Sequence, residues 1–115
     1  MALLQATYRD AGPVTVLDLS GRITLGEGSA LLRSTIRELL EDQRFRILVN
    51  LGDINYIDSS GIGELVSAYT AVKNRGGELK LLNLTKKVHD LLQITKLFTV
   101  FDVFNDESTA MRSFQ

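Results

Sequence analysis

The sequence predicts an α/β fold: a mixed, mostly parallel sheet of about five strands with helices packed on it, in the order ββαβαβαβα. Three observations predict it. Apolar runs of strand length alternate with stretches whose apolar residues recur at helical spacing. The first two runs are separated only by the turn sequence RDAGP, which implies a hairpin and one antiparallel pair. Each later strand is reached through a helix, which implies parallel pairs joined by right-handed crossovers.

Taken in order, Leu3 to Tyr8 and Val14 to Leu19 read as the hairpin strands. GRITLGEGS follows with its three glycines and offers Ser29 as an N-cap. Leu32, Ile36, Leu39 and Leu40 then fall at helical spacing, which predicts a helix over Ala30 to Glu41. Phe45 to Leu51 holds the run ILV and reads as a buried strand. After the segment DINYIDSSGIG, the residues Ile62, Leu65, Val66, Tyr69 and Val72 mark one stripe of a helix that starts near Ser60. Gly76 and Gly77 end it, since glycine tolerates the left-handed cap conformation. Leu79 to Leu84 is a further strand, and Thr85 caps a helix carrying Val88, Leu91 and Leu92 on one face. Val100 to Phe104 is the last strand and Glu107 to Phe114 a short last helix. With 115 residues and no internal repeat or linker, one domain over residues 1–115 is expected.

Composition narrows the function. The net charge is −1, which suggests neither disorder nor direct contact with a nucleic acid. There is no cysteine, so thiolate catalysis, a cysteine-ligated metal and a disulfide framework are excluded. MALLQATYRD has no basic region followed by an apolar stretch, and no apolar run approaches the ~18 residues of a membrane helix. A cytoplasmic domain without direct membrane insertion is the expectation.

Catalytic chemistry finds little support. No P-loop pattern occurs. GEGSAL has Gly26 and Gly28 but places Leu31 where a dinucleotide fingerprint needs its third glycine, so a loop and helix start explain it better than a cofactor. DSSGIG is not a nucleophile elbow, and the only histidine, His89, falls off the apolar face of its helix as a surface residue would. Asp53 and Asp58 can approach one strand end, but no third acid or histidine has ligand spacing. The acidic pair that a response regulator places after its first strand is missing. No enzyme activity, cofactor or metal is expected.

The stretch Asp58-Ser59-Ser60-Gly61 has a plain reading as a helix N-cap, which accounts for one polar residue but poorly for three in a row. On a wheel advancing about 100° per residue, the stripe centres opposite Ser60. The Ser60 side holds Gly63, Ser67, Thr70, Ala71 and Asn74. Two readings of that side stand: ordinary surface, or a flat, small docking face that begins at the serines. The absence of the usual Lys, Glu and Arg favours docking.

The run VNLGDINYIDSSGIGELVSAYTAVKNRGGELKLLNLTKKVHDLLQITKLFTVFDVF resembles the STAS domains, specifically the bacterial anti-sigma factor antagonists. The most specific part is Asp58-Ser59-Ser60-Gly61-Ile62-Gly63. LDLSGRI also looks like the family's second strand and turn, although Thr24 stands where an acidic residue is commoner. The resemblance implies that Ser59 is a phosphoacceptor. It implies as partners an anti-sigma factor with a histidine-kinase-like ATPase domain, which phosphorylates it, and a PP2C-type phosphatase, which reverses this. The unmodified form would bind the anti-sigma factor and free the sigma factor. The expected partner-binding residues are Asp58, Ser60, Gly61, Gly63, Ser67, Thr70, Ala71 and Asn74. STAS domains also serve as scaffolds of stress-sensing assemblies and as subunits of membrane transport systems, and both alternatives remain open at this point.

Overall fold

The structure is a computed structural model and describes residues 4–114. Its elements are β1 (Leu4–Ala11), β2 (Val14–Ile23), α1 (Glu27–Glu41), β3 (Arg46–Ile57), α2 (Ser59–Asn74), β4 (Glu78–Leu82), α3 (Lys86–Ile94), β5 (Val103–Phe104) and α4 (Glu107–Ser113). The five strands form one sheet in the order β1-β2-β3-β4-β5, with β1 antiparallel to β2 and the remaining neighbours parallel. This is the mixed, mostly parallel sheet that the alternation of periods predicts.

Successive crossovers of one hand between neighbouring strands deliver their helices to the same face. The cluster on that face joins Leu17, Leu19, Ile23, Ile47, Val49, Leu51, Ile54, Ile57 and Leu81 of the sheet to Leu32, Ile36 and Leu39 of α1, Ile62, Leu65 and Val72 of α2, and Val88 and Leu92 of α3. The other face is smaller: Val14, Val16, Leu48 and Leu82 pack against Ala110 of α4. Lys80 is buried beneath α4, where its Nζ donates to the Ser113 carbonyl at 2.9 Å and to Ser113 Oγ at 3.0 Å. An ammonium is well placed at the end of a helix, where unpaired carbonyls point outward.

Several boundaries differ from the sequence expectation. The hairpin turns on Gly12 and Pro13 alone, so Arg9, Asp10 and Ala11 belong to β1; Leu3 lies outside the described residues. Gly12 at φ +62° followed by proline has the sign pattern of a II′ turn, the kind that matches strand twist. β2 and β3 both run further than expected, and their extra lengths pair with each other from Ser20↔Asp53 to Ile23↔Ile57. Register shifts at Asp18/Ser20 and Gly21/Arg22 let this ladder continue past Gly21, at φ +101°, and past the weak strand formers Gly52 and Asp53. α1 begins three residues early, with Gly26 and not Ser29 at its N-cap and no side-chain cap. Ser29 sits inside the first turn and is buried. β4 ends at Leu82, and β5 shrinks to two residues because the chain over 95–101, after α3, is taken up by turns and bends.

Candidate functional site

Ser59 opens α2 at the carboxyl ends of β2 and β3. Asp58 holds this place from three directions. Its Oδ1 accepts from Gly61 N at 2.8 Å, the N-cap bond, and its own carbonyl accepts from Ile62 N at 3.1 Å. Its Oδ2 accepts from Leu25 N at 3.2 Å, and its N–H donates to the Ile23 carbonyl at 3.3 Å. The cap therefore also ties the loop after β2 to the loop after β3. With its carboxylate engaged by two backbone N–H groups, Asp58 is a structural acid of the turn.

The two serines differ. Ser60 is half-buried, and its Oγ lies 3.3 Å from Ser29 Oγ. Ser29 donates to the Thr24 carbonyl at 2.9 Å, so its proton is used and Ser60 is the donor in the serine pair. Ser59 is exposed, and its hydroxyl makes no hydrogen bond to the described residues. One hydroxyl is consumed in joining α1 to α2, while the other is free.

The glycines also divide. A Cβ on Gly61 would meet the Ile23 carbonyl oxygen at 2.2 Å and Ile57 Cγ1 at 2.8 Å. Gly61 is buried and lets the start of α2 press onto β2, so it offers no surface of its own. A Cβ on Gly63 would meet nothing within 4 Å, and Gly63 is exposed. In the preceding loop, Gly26 takes φ +99° and a Cβ on Gly28 would lie 2.9 Å from the Arg22 carbonyl oxygen. Turn geometry and close approach account for GEG without a cofactor.

Beyond the serines, Gly63, Ser67, Thr70 and Asn74 are exposed and Ala71 is half-exposed, so these five share the outer side of α2. The expected uncharged face is interrupted by Glu64. It follows Ser60 by four residues and so shares its side of the helix. Glu64 is only 9% exposed because its Oε1 accepts from Arg33 of α1 at 2.7 Å. This pair holds the guanidinium above its ordinary pKa through the hydrogen bond and the carboxylate charge. The partner lies thirty-one positions away in sequence, and no local pattern indicates it. Val66 and Tyr69, assigned to the buried stripe, are only partly buried. Ala68 is buried in their place, and Tyr69 sets its ring edge against Phe101 at 5.5 Å.

No group of three or more potential metal ligands occurs among the described residues, and Asp53 is exposed. His89 is partly exposed, with its ring edge-on to Phe98 at 5.1 Å and its Nδ1 3.5 Å from Asp90 Oδ1. No described helix is long and apolar enough to cross a membrane.

A mixed sheet with a capped helix mouth at its strand ends, an exposed serine hydroxyl there and a small-residued helix behind it together mark the class of α/β domain to which the chain belongs. The chain belongs to the STAS domain family, whose model matches residues 5–110. It is 26% identical over 99 residues to an anti-sigma F factor antagonist of Paenibacillus polymyxa, spanning 85% of this chain and 84% of that one. It is 38% identical over 64 residues to an anti-sigma-B factor antagonist of Bacillus subtilis, spanning 56% and 59%. Among solved structures, an anti-sigma factor antagonist from Mycobacterium paratuberculosis superposes with a TM-score of 0.84 at 17% identity, over 96% of this chain and 93% of that one. The Bacillus cell fate determinant SpoIIAA in its phosphorylated form superposes with a TM-score of 0.71 at 18% identity, over 94% and 98%. At such identities these structures share the fold.

Proposed function

We propose that this chain is an anti-sigma factor antagonist of the cytoplasm, a non-enzymatic binding protein switched off by phosphorylation of Ser59. The observation that carries the reading is the contrast at the helix mouth: Asp58 and Ser60 are spent on structure, while Ser59 is exposed and unbonded. The names of the relatives support the antagonist role, and the solved phosphorylated form of SpoIIAA supports a phosphate on this fold.

The kinase is an anti-sigma factor with a histidine-kinase-like ATPase domain, and a PP2C-type phosphatase restores the hydroxyl. The unmodified protein docks through the turn at Asp58, Ser59 and Ser60, which the buried Gly61 shapes from beneath, and through the outer side of α2, including Gly63, Ser67, Thr70, Ala71 and Asn74. Phosphate at a helix N-terminus is compatible with the fold. It adds about −1.5 to −2 charge beside Asp58, and a partner without a matching cation must desolvate that charge on docking. Phosphorylation then removes binding without unfolding the domain.

The test is incubation with ATP and the ATPase-domain anti-sigma factors of the same genome, followed by mass spectrometry. Phosphate is expected on Ser59 and absent in Ser59→Ala, which should still bind the unloaded kinase. Ser59→Asp should bind more weakly than wild type but better than the phosphorylated protein, having about one added charge. Phosphate on Ser60 or Thr70, or no transfer from any such kinase, overturns the reading.

A further inference from the structure

Two cations converge on one exposed ring at the ends of β2 and β3. Arg22 and Tyr56 are register partners in the parallel ladder, one step before Ile23 and Ile57 close it. Ile23 and Ile57 are buried, whereas Arg22 is exposed and Tyr56 keeps 40% of its surface open. The Arg22 guanidinium lies 5.7 Å from the centre of the Tyr56 ring. Lys87, in the first turn of α3, places its Nζ 5.0 Å from the same centre. Tyr56 precedes Ser59 by three residues, so their Cα atoms are at most roughly 11 Å apart.

Nothing in the described chain neutralises this pair. Arg44, over the Tyr8 ring, is held by Asp10 and Asp42, and Lys80, over Phe104 and Phe114, lies 3.6 Å from Glu78 and 3.7 Å from Asp102. Arg22 and Lys87 have no ion pair with any described carboxylate, and both oxygens of the nearby Asp58 are taken by the Gly61 and Leu25 N–H groups. Among the described residues Tyr56 is the one ring that carries two cations. Like charges on one ring repel each other, and the ring attracts each only weakly at an exposed site, so an anion from outside relieves both. The same edge holds Leu25, 79% exposed, whose N–H is fixed by Asp58 Oδ2. A bare tyrosine and arginine beside a leucine on a fixed backbone are the materials of a protein interface.

We infer that the docking surface extends from Ser59 across the strand ends to Arg22, Leu25, Tyr56 and Lys87, and that this half of it receives an acidic segment of the partner. Carboxylates of that segment meet the two cations, and an apolar residue of it covers Leu25 and the Tyr56 ring. The inference rests on the antagonist reading above, in which the partner is an ATPase-domain anti-sigma factor. It also names the partner groups that a phosphate confronts. Acids drawn to Arg22 and Lys87 sit beside Ser59, so the charge added there opposes them directly.

The experiment measures the affinity of the unphosphorylated protein for the anti-sigma factor that phosphorylates Ser59, at low and at physiological salt. Arg22→Glu and Lys87→Glu should each weaken binding at least about tenfold and flatten its salt dependence. Arg112→Glu makes the same change of net charge on the exposed side of α4 and should leave affinity within about twofold of wild type. Lys87 is an exposed helix residue, so Lys87→Glu should melt as wild type does and carries the test even if Arg22→Glu disturbs the end of β2. Wild-type affinity in Lys87→Glu, or an equal loss in all three variants, overturns the inference and leaves the antagonist reading standing. If the wild-type protein binds no such kinase, the antagonist reading falls and this inference with it.

Discussion

Gly61 and Gly63 stand two positions apart in one helix and answer to opposite constraints. At Gly61 a methyl group would press on a backbone carbonyl at 2.2 Å, and the Ile23 strand end cannot retreat without breaking its bond to Asp58 N. Gly61→Ala is therefore expected to destabilise by at least about 1–3 kcal/mol, the cost of overpacking against a fixed neighbour. At Gly63 the same methyl meets nothing, so Gly63→Ala should stabilise by about 0.5–1 kcal/mol through helix propensity. Urea midpoints of the two variants check both signs. If Gly63 presents bare backbone to a partner, the more stable variant should also bind that partner less well. Unchanged affinity would remove Gly63 from the docking face.

Three helices end in the same way, with a residue of positive φ following the last turn: Gln43 at +59° after α1, Gly76 at +80° after α2 and Lys96 at +62° after α3. In each, the next residue's N–H returns to a carbonyl five positions back: Arg44 to Leu39, Gly77 to Val72 and Leu97 to Leu92. This is the Schellman arrangement, in which glycine is favoured because a Cβ is strained at that φ. Only α2 uses glycine there. Gln43→Gly and Lys96→Gly are each expected to stabilise by up to about 1 kcal/mol, read from thermal or urea unfolding. The same comparison shows what the sequence could reveal. The Gly76-Gly77 stop was legible because its chemistry is local, as were the Thr85 cap, seen in the Val88 N bond at 3.4 Å, and the alternation of periods. The ends at Gln43 and Lys96 carry no such mark. The long second halves of β2 and β3 were hidden because each exists only by pairing with the other. Ser59 stood out in the motif, whereas the Arg33–Glu64 bridge and the Ser29–Ser60 pair join residues far apart in the chain.

Taken as a whole, the molecule is fastened across its smaller face by one guanidinium. Arg9 of β1 donates to Asp18 of β2 at 2.8 Å and to Glu107 of α4 at 2.7 Å. Burial pushes the Asp18 carboxyl up, but hydrogen bonds from Arg9 and Asn50 and the Arg9 charge outweigh it, and the group lies below its ordinary pKa. Glu107 is lowered chiefly by its hydrogen bond to Arg9. Folded-state values below the unfolded ones mean that this stability is complete above the ordinary carboxylate range, near pH ~4, and is lost as acid titrates the folded groups below it. Wild type should therefore lose more stability between pH 7 and pH ~2.5 than Arg9→Ala does, measured as the shift in urea midpoint. Amides of α4 should lose exchange protection before those of β3. The sheet's strand order, β1 to β5, is also the order of synthesis. Each strand emerging from a ribosome finds its neighbour already made, and none has to wait for a slot between two others. The exception is the clasp from Arg9 to Glu107, which spans 98 positions. Until α4 emerges, the nascent sheet carries Val14, Val16, Leu48 and Leu82 bare on one side, so the arrival of α4 decides when that side of the newborn sheet stops being sticky.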